Sequence, residues 1–157
     1  MSNREYPERP LVGVGGVVIE SGRVLLVRRG SEPLLGEWSI PGGLLECGET
    51  LVAGVERELR EETGLTVRVV ELVEALERIF RDAAPDGAAA PSGGKPRYHY
   101  VILDYLCERV SGEPRAGGDA TEVAWAREEE LPRYSLPPQT LRVLGKAFAL
   151  SRARVKT

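Results

Sequence analysis

Three glutamates that lie close together are the residues whose types and spacing best suit chemistry. Glu58, Glu61 and Glu62 fall in RELREETGL, and on a helix this spacing puts them on one face. Like charges so placed repel one another and weaken an isolated helix. A hard divalent cation such as Mg²⁺ or Mn²⁺ would relieve the repulsion, because it prefers carboxylate oxygens. Mg²⁺ commonly binds substrate phosphates as well, so the pattern predicts a metal site for a phosphate-bearing substrate. The alternative is a solvated, charged helix face.

The residues that flank this cluster favour the metal site over the solvated face. Glu49 precedes the helix, and Arg57 follows it eight residues later. We expect Arg57 to reach back to Glu49 and fasten the preceding loop to the helix while Glu58 faces the metal. That loop contains IPGG, in which Gly42 and Gly43 permit the tight backbone angles that bring carbonyl oxygens towards the metal.

Periodicity and turn residues predict the elements that must position these groups. Residues 11–20 and 23–29 are apolar and β-branched on either side of a Ser-Gly pair, which predicts a β-hairpin. Residues 30–43 are rich in Gly and Pro and are predicted to be a loop.

A helix should carry the glutamates. Thr50 is its predicted N-cap and Gly64 its predicted C′ residue. Its predicted buried face consists of Val52, Val55 and Leu59, which recur at helical spacing.

The second half of the chain alternates strands and helices. Strands are predicted around residues 65–76, 97–110 and 121–126, although the later half of the first also fits a helix. A helical turn at 127–131 and a helix that begins near Pro138 follow. Residues 82–96 are rich in Ala, Gly and Pro without periodicity, which predicts a long mobile loop. This order fits the α/β (α+β) class, as a single domain over residues 1–157.

Composition excludes several classes of protein. The net charge is −3, which gives no electrostatic basis for general nucleic-acid binding. No apolar run approaches the roughly 20 residues that cross a membrane, so no membrane partner is expected. There are only two cysteines and no CxxC pair, which makes a disulfide framework or a zinc site improbable and predicts a reducing cytoplasm.

The spacing of these residues resembles the Nudix box over its whole length. Gly43 is followed after five residues by Glu49, and after seven more by RELREETGL, which ends at Gly64 and Leu65. The fixed positions of the box pattern are all occupied: Gly43, Glu49, Arg57, Glu58, Leu59, Glu61, Glu62, Gly64 and Leu65. The hairpin before the box and the strand YHYVILDYLC after it resemble the family more loosely.

The resemblance implies a fold, an activity and roles for residues. It implies an α/β/α sandwich with a mixed central sheet and the box as loop–helix–loop, and hydrolysis of nucleoside diphosphates linked to another group with Mg²⁺ or Mn²⁺. Glu58, Glu61 and Glu62 match metal-holding glutamates, which also makes them catalytic candidates, and the carbonyl of Gly42 matches a frequent further ligand. Glu49 and Arg57 match a pair that is usually structural.

Residues outside the box are candidates for the proton acceptor and for substrate contacts. A carboxylate must take the proton of the attacking water. In the family this is sometimes a box glutamate and sometimes an acid from a later loop, for which Glu122 is the first candidate here and Asp119 the second. Arg29 resembles an arginine that some members use on substrate phosphates, against an exposed strand end as the alternative. Trp38 could stack on a base or pack beneath the loop.

The resemblance leaves the substrate open. The stretch EPLLGEWSIPGGLLECGET is similar to members that act on ADP-ribose, which would give AMP and ribose 5-phosphate. The alternatives are a pyrophosphohydrolase of nucleoside triphosphates such as oxidised dNTPs, and a nucleotide-sensing domain without catalysis. Small members often form dimers, so a homodimer is a further expectation.

Overall fold

The computed structural model describes residues 4–82 and 94–155. Within them, seven strands and two α-helices follow one another, with a 3-10 helix at Glu128–Tyr134. The strands are β1 (Leu11–Glu20), β2 (Arg23–Arg29), β3 (Trp38–Ser39), β4 (Gly42–Leu44), β5 (Thr66–Phe80), β6 (Tyr98–Ser111) and β7 (Ala120–Arg127). The helices are α1 (Leu51–Thr63) and α2 (Pro138–Val155).

The strands of the described residues form a mixed sheet in the order β3-β2-β1-β6-β5. β1 is its centre: it pairs in parallel with β6, and antiparallel with β2 at its end and with β4 near its start. β7 pairs antiparallel with β2, and β5 with β6. The strand β4, which immediately precedes the box helix, is therefore fixed to the centre of the sheet.

Alternate residues of the central strands face two separate cores, one under each helix. Val14, Val18 and Leu25 pack in one core with Val55 and Leu59 of α1. The other core contains Val17, Val24 and Leu26 from the sheet and Val143, Leu144, Ala147 and Phe148 from α2. The two helices thus cover opposite faces of the sheet, which confirms the predicted α/β/α sandwich.

Both predicted ends of the box helix are confirmed. The side chain of Thr50 accepts a hydrogen bond from the N–H of Ala53, and Gly64 adopts the left-handed conformation with φ 74°. The predicted buried face is wrong at Val52, which is 45% exposed. Val52 lies in the first turn of the helix, and the first buried residues of the helix are Gly54 and Val55.

The other departures from the sequence prediction lie in the connections. Residues 30–43 are not all loop, because β3 and the start of β4 pair with β2 and β1. The predicted helical turn after β7 is a seven-residue 3-10 helix. Most of the predicted mobile loop at 82–96 lies outside the described residues, so that prediction stands untested. Neither α1 nor α2 is long and apolar enough to span a membrane.

Candidate active site

The three box glutamates line one cleft. Helix α1 contributes Glu58, Glu61 and Glu62 to its wall, and the opposite side comes from the end of β2 and the loop before β7. The cleft has a volume of about 580 Å³. Glu58 and Glu62 are largely buried, with 12% of the Glu58 side chain and 8% of Glu62 exposed, whereas 53% of the Glu61 side chain is exposed. The predicted grouping of these carboxylates on one helix face is present in the structure.

Glu58 lies directly against the backbone of Gly43. A Cβ atom at position 43 would stand 2.5 Å from the carboxylate carbon and oxygens of Glu58, a distance that such atoms do not tolerate. Any other residue at position 43 would displace the carboxylate. Burial raises the pKa of Glu58 above its usual value, and the guanidinium of Arg57 opposes this.

Glu62 is held by the same loop. The backbone N–H of Gly42 donates a hydrogen bond of 3.0 Å to Oε2 of Glu62. Burial raises the pKa of Glu62 to about 7, with a smaller contribution from the negative charge of Glu58. The hydrogen bond from Gly42 and the charge of Arg29 lower it, but they do not compensate for burial.

Glu49 and Arg57 form the ion pair that the sequence predicts. Nε of Arg57 donates to Oε2 of Glu49 at 2.6 Å, and Nη2 donates to Oε1 at 2.9 Å. Nη2 also donates to the carbonyl oxygen of Leu44 at 3.0 Å, so Arg57 fastens the loop to the helix. These hydrogen bonds lower the pKa of Glu49 to about 2 and raise that of Arg57.

Arg57 also reaches two of the cleft carboxylates, those of Glu58 and Glu61. Its Nη1 lies 2.8 Å from Oε1 of Glu58 and 3.3 Å from Oε2 of Glu61. In the described part of the chain, no three acidic, histidine or cysteine side chains are already gathered around one metal position. The donor set nevertheless fits Mg²⁺ or Mn²⁺, because these glutamates offer hard oxygen atoms and two of them carry charge that burial disfavours.

Two arginines at the end of β2 line the same cleft. Arg29 donates from Nε to the carbonyl oxygen of Pro33 at 2.7 Å, and its charge reaches Glu62. Strict alternation along the strand would send Arg28 to the opposite side. A register shift in the pairing with β7 falls between these two residues, and both line the cleft.

The structure separates the two candidate acids near β7. Glu122 lies opposite Arg28 in the strand pairing and forms an ion pair with it, with Oε2 2.8 Å from Nη1. Glu122 does not line the cleft formed by the described residues, whereas Asp119 does. Their placement brings Asp119, and not Glu122, to the cleft of the box glutamates, and which acid accepts the proton stays a prediction.

Trp38 packs against the protein. Its ring meets the ring of Tyr134 edge-on, with 5.2 Å between centroids, and it borders the core under α2. It lines neither of the two cavities that border the box loop in the described residues. This placement favours packing over the base contact that the sequence left open.

An inner chamber adjoins the cleft, and sequence reasoning missed most of it. It has a volume of about 140 Å³ and shares Arg29, Gly42 and Gly43 with the cleft. Its polar lining includes Arg78, Tyr100, Asp104 and Thr140, among apolar neighbours. Burial raises the pKa of Asp104 to about 7, with opposition from Arg78. A lone acid within the apolar run YVILDYLC was the available signal for Asp104.

The family comparison decides the identity of this arrangement. The NUDIX domain model matches residues 9–146, which include the cleft-lining box and most of the chain. The chain belongs to the Nudix family. The box resemblance and the predicted fold are thereby confirmed.

Relatives of this Nudix protein have different names. It is 33% identical over 126 residues to the ADP-ribose pyrophosphatase of Methanocaldococcus jannaschii, covering 80% of this chain and 67% of that protein. It is 29% identical over 136 residues to the 8-oxo-dGTP diphosphatase of Escherichia coli K12, covering 86% and 93% of the two chains. The crystal structure of a MutT NUDIX hydrolase from Burkholderia pseudomallei superposes with a TM-score of 0.71 at 30% identity, covering 88% and 98%.

Membership establishes the general activity. The protein is a Nudix hydrolase, an enzyme of the class that acts on pyrophosphate linkages in small nucleotide derivatives. Nudix hydrolases generally use divalent metal ions. The comparison therefore favours an enzyme over a nucleotide-sensing domain without catalysis.

Proposed function

We propose that this Nudix hydrolase cleaves the diphosphate of a nucleoside diphosphate linked to a second group, and that ADP-ribose is such a substrate. The products would be AMP and ribose 5-phosphate. The observation that carries this proposal is the junction of the carboxylate-lined cleft with the inner chamber at Gly42, Gly43 and Arg29. A diphosphate at this junction can have one attached group in the chamber and the other towards the cleft.

In this proposal the box glutamates hold the metal. Glu58, Glu61 and Glu62 would bind Mg²⁺ or Mn²⁺, with the carbonyl of Gly42 as a further ligand. When bound there, such an ion would neutralise phosphate charge and lower the pKa of a bound water. Arg29, whose side chain lines both cavities, binds a phosphate oxygen through a charge-assisted hydrogen bond. Glu49, Arg57, Gly43 and Gly64 keep the loop and helix in position.

The proton acceptor in this proposal is an acid that lines the cleft. Asp119 meets this condition without rearrangement, and a box glutamate of the cleft wall is the alternative. Glu122 would first have to leave its ion pair with Arg28. A loss of activity in Glu122→Gln that Asp119→Asn does not show would contradict this assignment.

A second candidate function has support of its own. The similarity to the E. coli protein named 8-oxo-dGTP diphosphatase extends over 93% of that protein's length. A nucleoside triphosphate would place its base in the inner chamber, which offers the hydrogen-bonding groups of Arg78 and Asp104. This reaction would release a nucleoside monophosphate and pyrophosphate.

The products distinguish the two functions. We would incubate the enzyme and Mg²⁺ with ADP-ribose and, separately, with 8-oxo-dGTP, and identify the products by chromatography. The proposal predicts AMP and ribose 5-phosphate from ADP-ribose at the higher kcat/KM. A higher kcat/KM on 8-oxo-dGTP, with release of pyrophosphate, would replace the first proposal by the second.

A matched pair of variants ties either activity to the site. Glu62→Gln removes a carboxylate from the cleft wall, whereas Glu56→Gln makes the same change on the same helix at a residue that does not line the cleft of the described residues. We expect Glu62→Gln to lose the activity and Glu56→Gln to retain it.

A further inference from the structure

A short segment before β1 is held against the ends of β5 and β6. The N–H of Tyr6 donates to the carbonyl oxygen of Arg97 at 2.7 Å, and the hydroxyl of Tyr6 bonds the carboxylate of Asp82. Glu5 accepts two hydrogen bonds from Arg97, at 2.7 and 3.1 Å, and one from the hydroxyl of Tyr98 at 3.1 Å. These contacts involve both backbone and side chains, so they fix where residue 4 lies.

The segment places Arg4 at the junction of the two cavities. Arg4 lines both the carboxylate-lined cleft and the inner chamber. Its charge acts on Glu58 from one side and on Tyr100 from the other, lowering the pKa of each against the larger effect of burial. Among the described residues, no carboxylate lies within 4.0 Å of the Arg4 guanidinium.

Tyr100 supplies a second observation. It lines the inner chamber and is only 8% exposed, and Arg4 lies close enough to its hydroxyl to lower its pKa, but that hydroxyl makes no hydrogen bond of acceptable geometry with the described residues. Buried polar atoms are nearly always paired in folded proteins, so an unpaired one calls for an explanation. An oxygen of a bound ligand would provide the missing partner.

The chemistry of this pair selects the ligand group. A guanidinium has only hydrogen-bond donors, and a phenol hydroxyl beside it can donate as well. Two donors require a group that only accepts, and a phosphate oxygen does so with negative charge. A ribose hydroxyl, which must also donate, fits this position less well.

We propose that Arg4 and Tyr100 bind a non-bridging oxygen of the substrate phosphate that lies next to the inner chamber. This proposal rests on the proposed function, because it presumes a diphosphate at the junction. Arg97 is then a positioning residue, since it holds the segment through Glu5 and Tyr6 but does not line either cavity of the described residues.

Arg9 offers a matched control for the loss of charge at Arg4. It lies five residues further along, is exposed and lines neither cavity bounded by described residues. We would compare Arg4→Ala, Tyr100→Phe and Arg97→Ala with Arg9→Ala. The readouts are steady-state kinetics on ADP-ribose and calorimetric binding of ADP without added metal, with melting temperatures to show that each variant is folded.

We expect Arg4→Ala to weaken ADP binding and raise KM by about tenfold, as for loss of a charge-assisted hydrogen bond, with little change in kcat. Tyr100→Phe should weaken ADP binding and raise KM by about threefold, as for loss of a neutral hydrogen bond. Arg97→Ala should raise KM in the same direction as Arg4→Ala while leaving kcat nearly unchanged, and Arg9→Ala should match the wild type.

Failure of this proposal and failure of the proposed function give different results. If the wild type binds ADP and Arg4→Ala binds it as tightly as Arg9→Ala, the phosphate contact is wrong, whatever the substrate proves to be. If the wild type does not cleave ADP-ribose but Arg4→Ala still weakens ADP binding, the contact stands and only the substrate is wrong. A wild type that does not bind ADP overturns the contact.

Discussion

The protein shifts the pKa of the carboxylates near the two ends of the box helix in opposite directions. Near its start, Glu49 receives two hydrogen bonds from Arg57, and its pKa falls to about 2. Near its end, Glu62 has one backbone hydrogen bond, from Gly42, and burial raises its pKa to about 7. Both belong to one loop–helix unit, yet only the first is neutralised by the protein itself.

Under the proposed function, this difference separates an acid that stabilises the fold from an acid that would bind a cation. A buried charge costs free energy unless it is paired, and the protein leaves that cost uncompensated at Glu62. Such sites occur where function requires them, at the expense of stability. Arg57 thus compensates the charge of Glu49, whereas the repulsion between Glu58 and Glu62 persists and contributes to the raised pKa of Glu62.

The largest expected effect is the loss of catalysis at the two box carboxylates whose pKa burial raises. Glu58→Gln and Glu62→Gln should each lower kcat/KM by about 100-fold or more, because a bound metal stabilises the transition state by several kcal/mol and about 1.4 kcal/mol is a factor of ten. The check is the steady-state rate on the preferred substrate with saturating Mg²⁺. Rates near that of Glu56→Gln would show that catalysis does not depend on Glu58 and Glu62.

Removal of the neutralising partner should act on stability first. Arg57→Ala leaves Glu49 and Glu58 without their cation, and we expect a loss of about 3 kcal/mol in the free energy of unfolding, at the lower end for breaking a buried ion pair. Activity should fall with it, because the loop that carries Gly42 is released. Urea unfolding measures this, with Arg60→Ala as control on the exposed side of the same helix. An intact fold with full activity would contradict the role of Arg57.

The pH dependence of stability should have opposite signs at the two acids. The pKa of Glu62 is higher in the folded state than the ordinary glutamate value of 4.5, so its contribution to stability falls as pH rises from about 4.5 through about 7. In metal-free buffer, Glu62→Gln should therefore be more stable than the wild type at pH 8, by about 2–3 kcal/mol, and similar to it near pH 4.

The pKa of Glu49 is lower in the folded state, so its stabilisation is complete above pH 4.5 and disappears as pH falls towards 2. Glu49→Gln should be less stable than the wild type at pH 7, and the difference should shrink in acid. Melting temperatures across this pH range measure both variants. If the melting temperatures of both variants changed with pH in the same way relative to the wild type, the opposite pKa shifts of Glu49 and Glu62 would be wrong.

The smallest expected effect concerns the exposed pair on β2 and β7. Glu122→Gln should change stability by less than about 1 kcal/mol, since exposed ion pairs contribute little, and should leave kcat within about threefold. Asp119→Asn, in the cleft, should reduce kcat more. The reverse order of kcat values would restore Glu122 as the better candidate for the base.

The parts that the sequence predicts well are those set by local chemistry. Thr50 and Gly64 mark the helix ends because a cap needs a side-chain acceptor at one end and a left-handed residue at the other. The Glu49–Arg57 pair follows from spacing on a single loop–helix unit. The same local reasoning places Glu58, Glu61 and Glu62 on one face of the helix.

The parts that it misses depend on contacts between distant segments. β3 and β4 have two and three residues, too few for a periodic pattern, and exist because β2 and β1 pair with them. Glu122 lies beside Arg28 because the pairing of β2 with β7 places them opposite each other, and no local sequence pattern predicts that register. Arg4 and Asp104 are 100 residues apart in the sequence, and only the fold brings them to the same chamber.

The central claim, that Glu62 and the neighbouring box glutamates hold a divalent cation, is tested most directly by metal titration without substrate. We would follow the melting temperature against Mg²⁺ and Mn²⁺ concentration at pH 8 for the wild type, Glu62→Gln and Glu56→Gln. A ligand that binds only the folded state raises its stability. We predict a saturable rise in the wild type and Glu56→Gln, and a midpoint at least about tenfold higher in Glu62→Gln, as for the loss of a metal ligand. The same midpoint in all three proteins would contradict the claim.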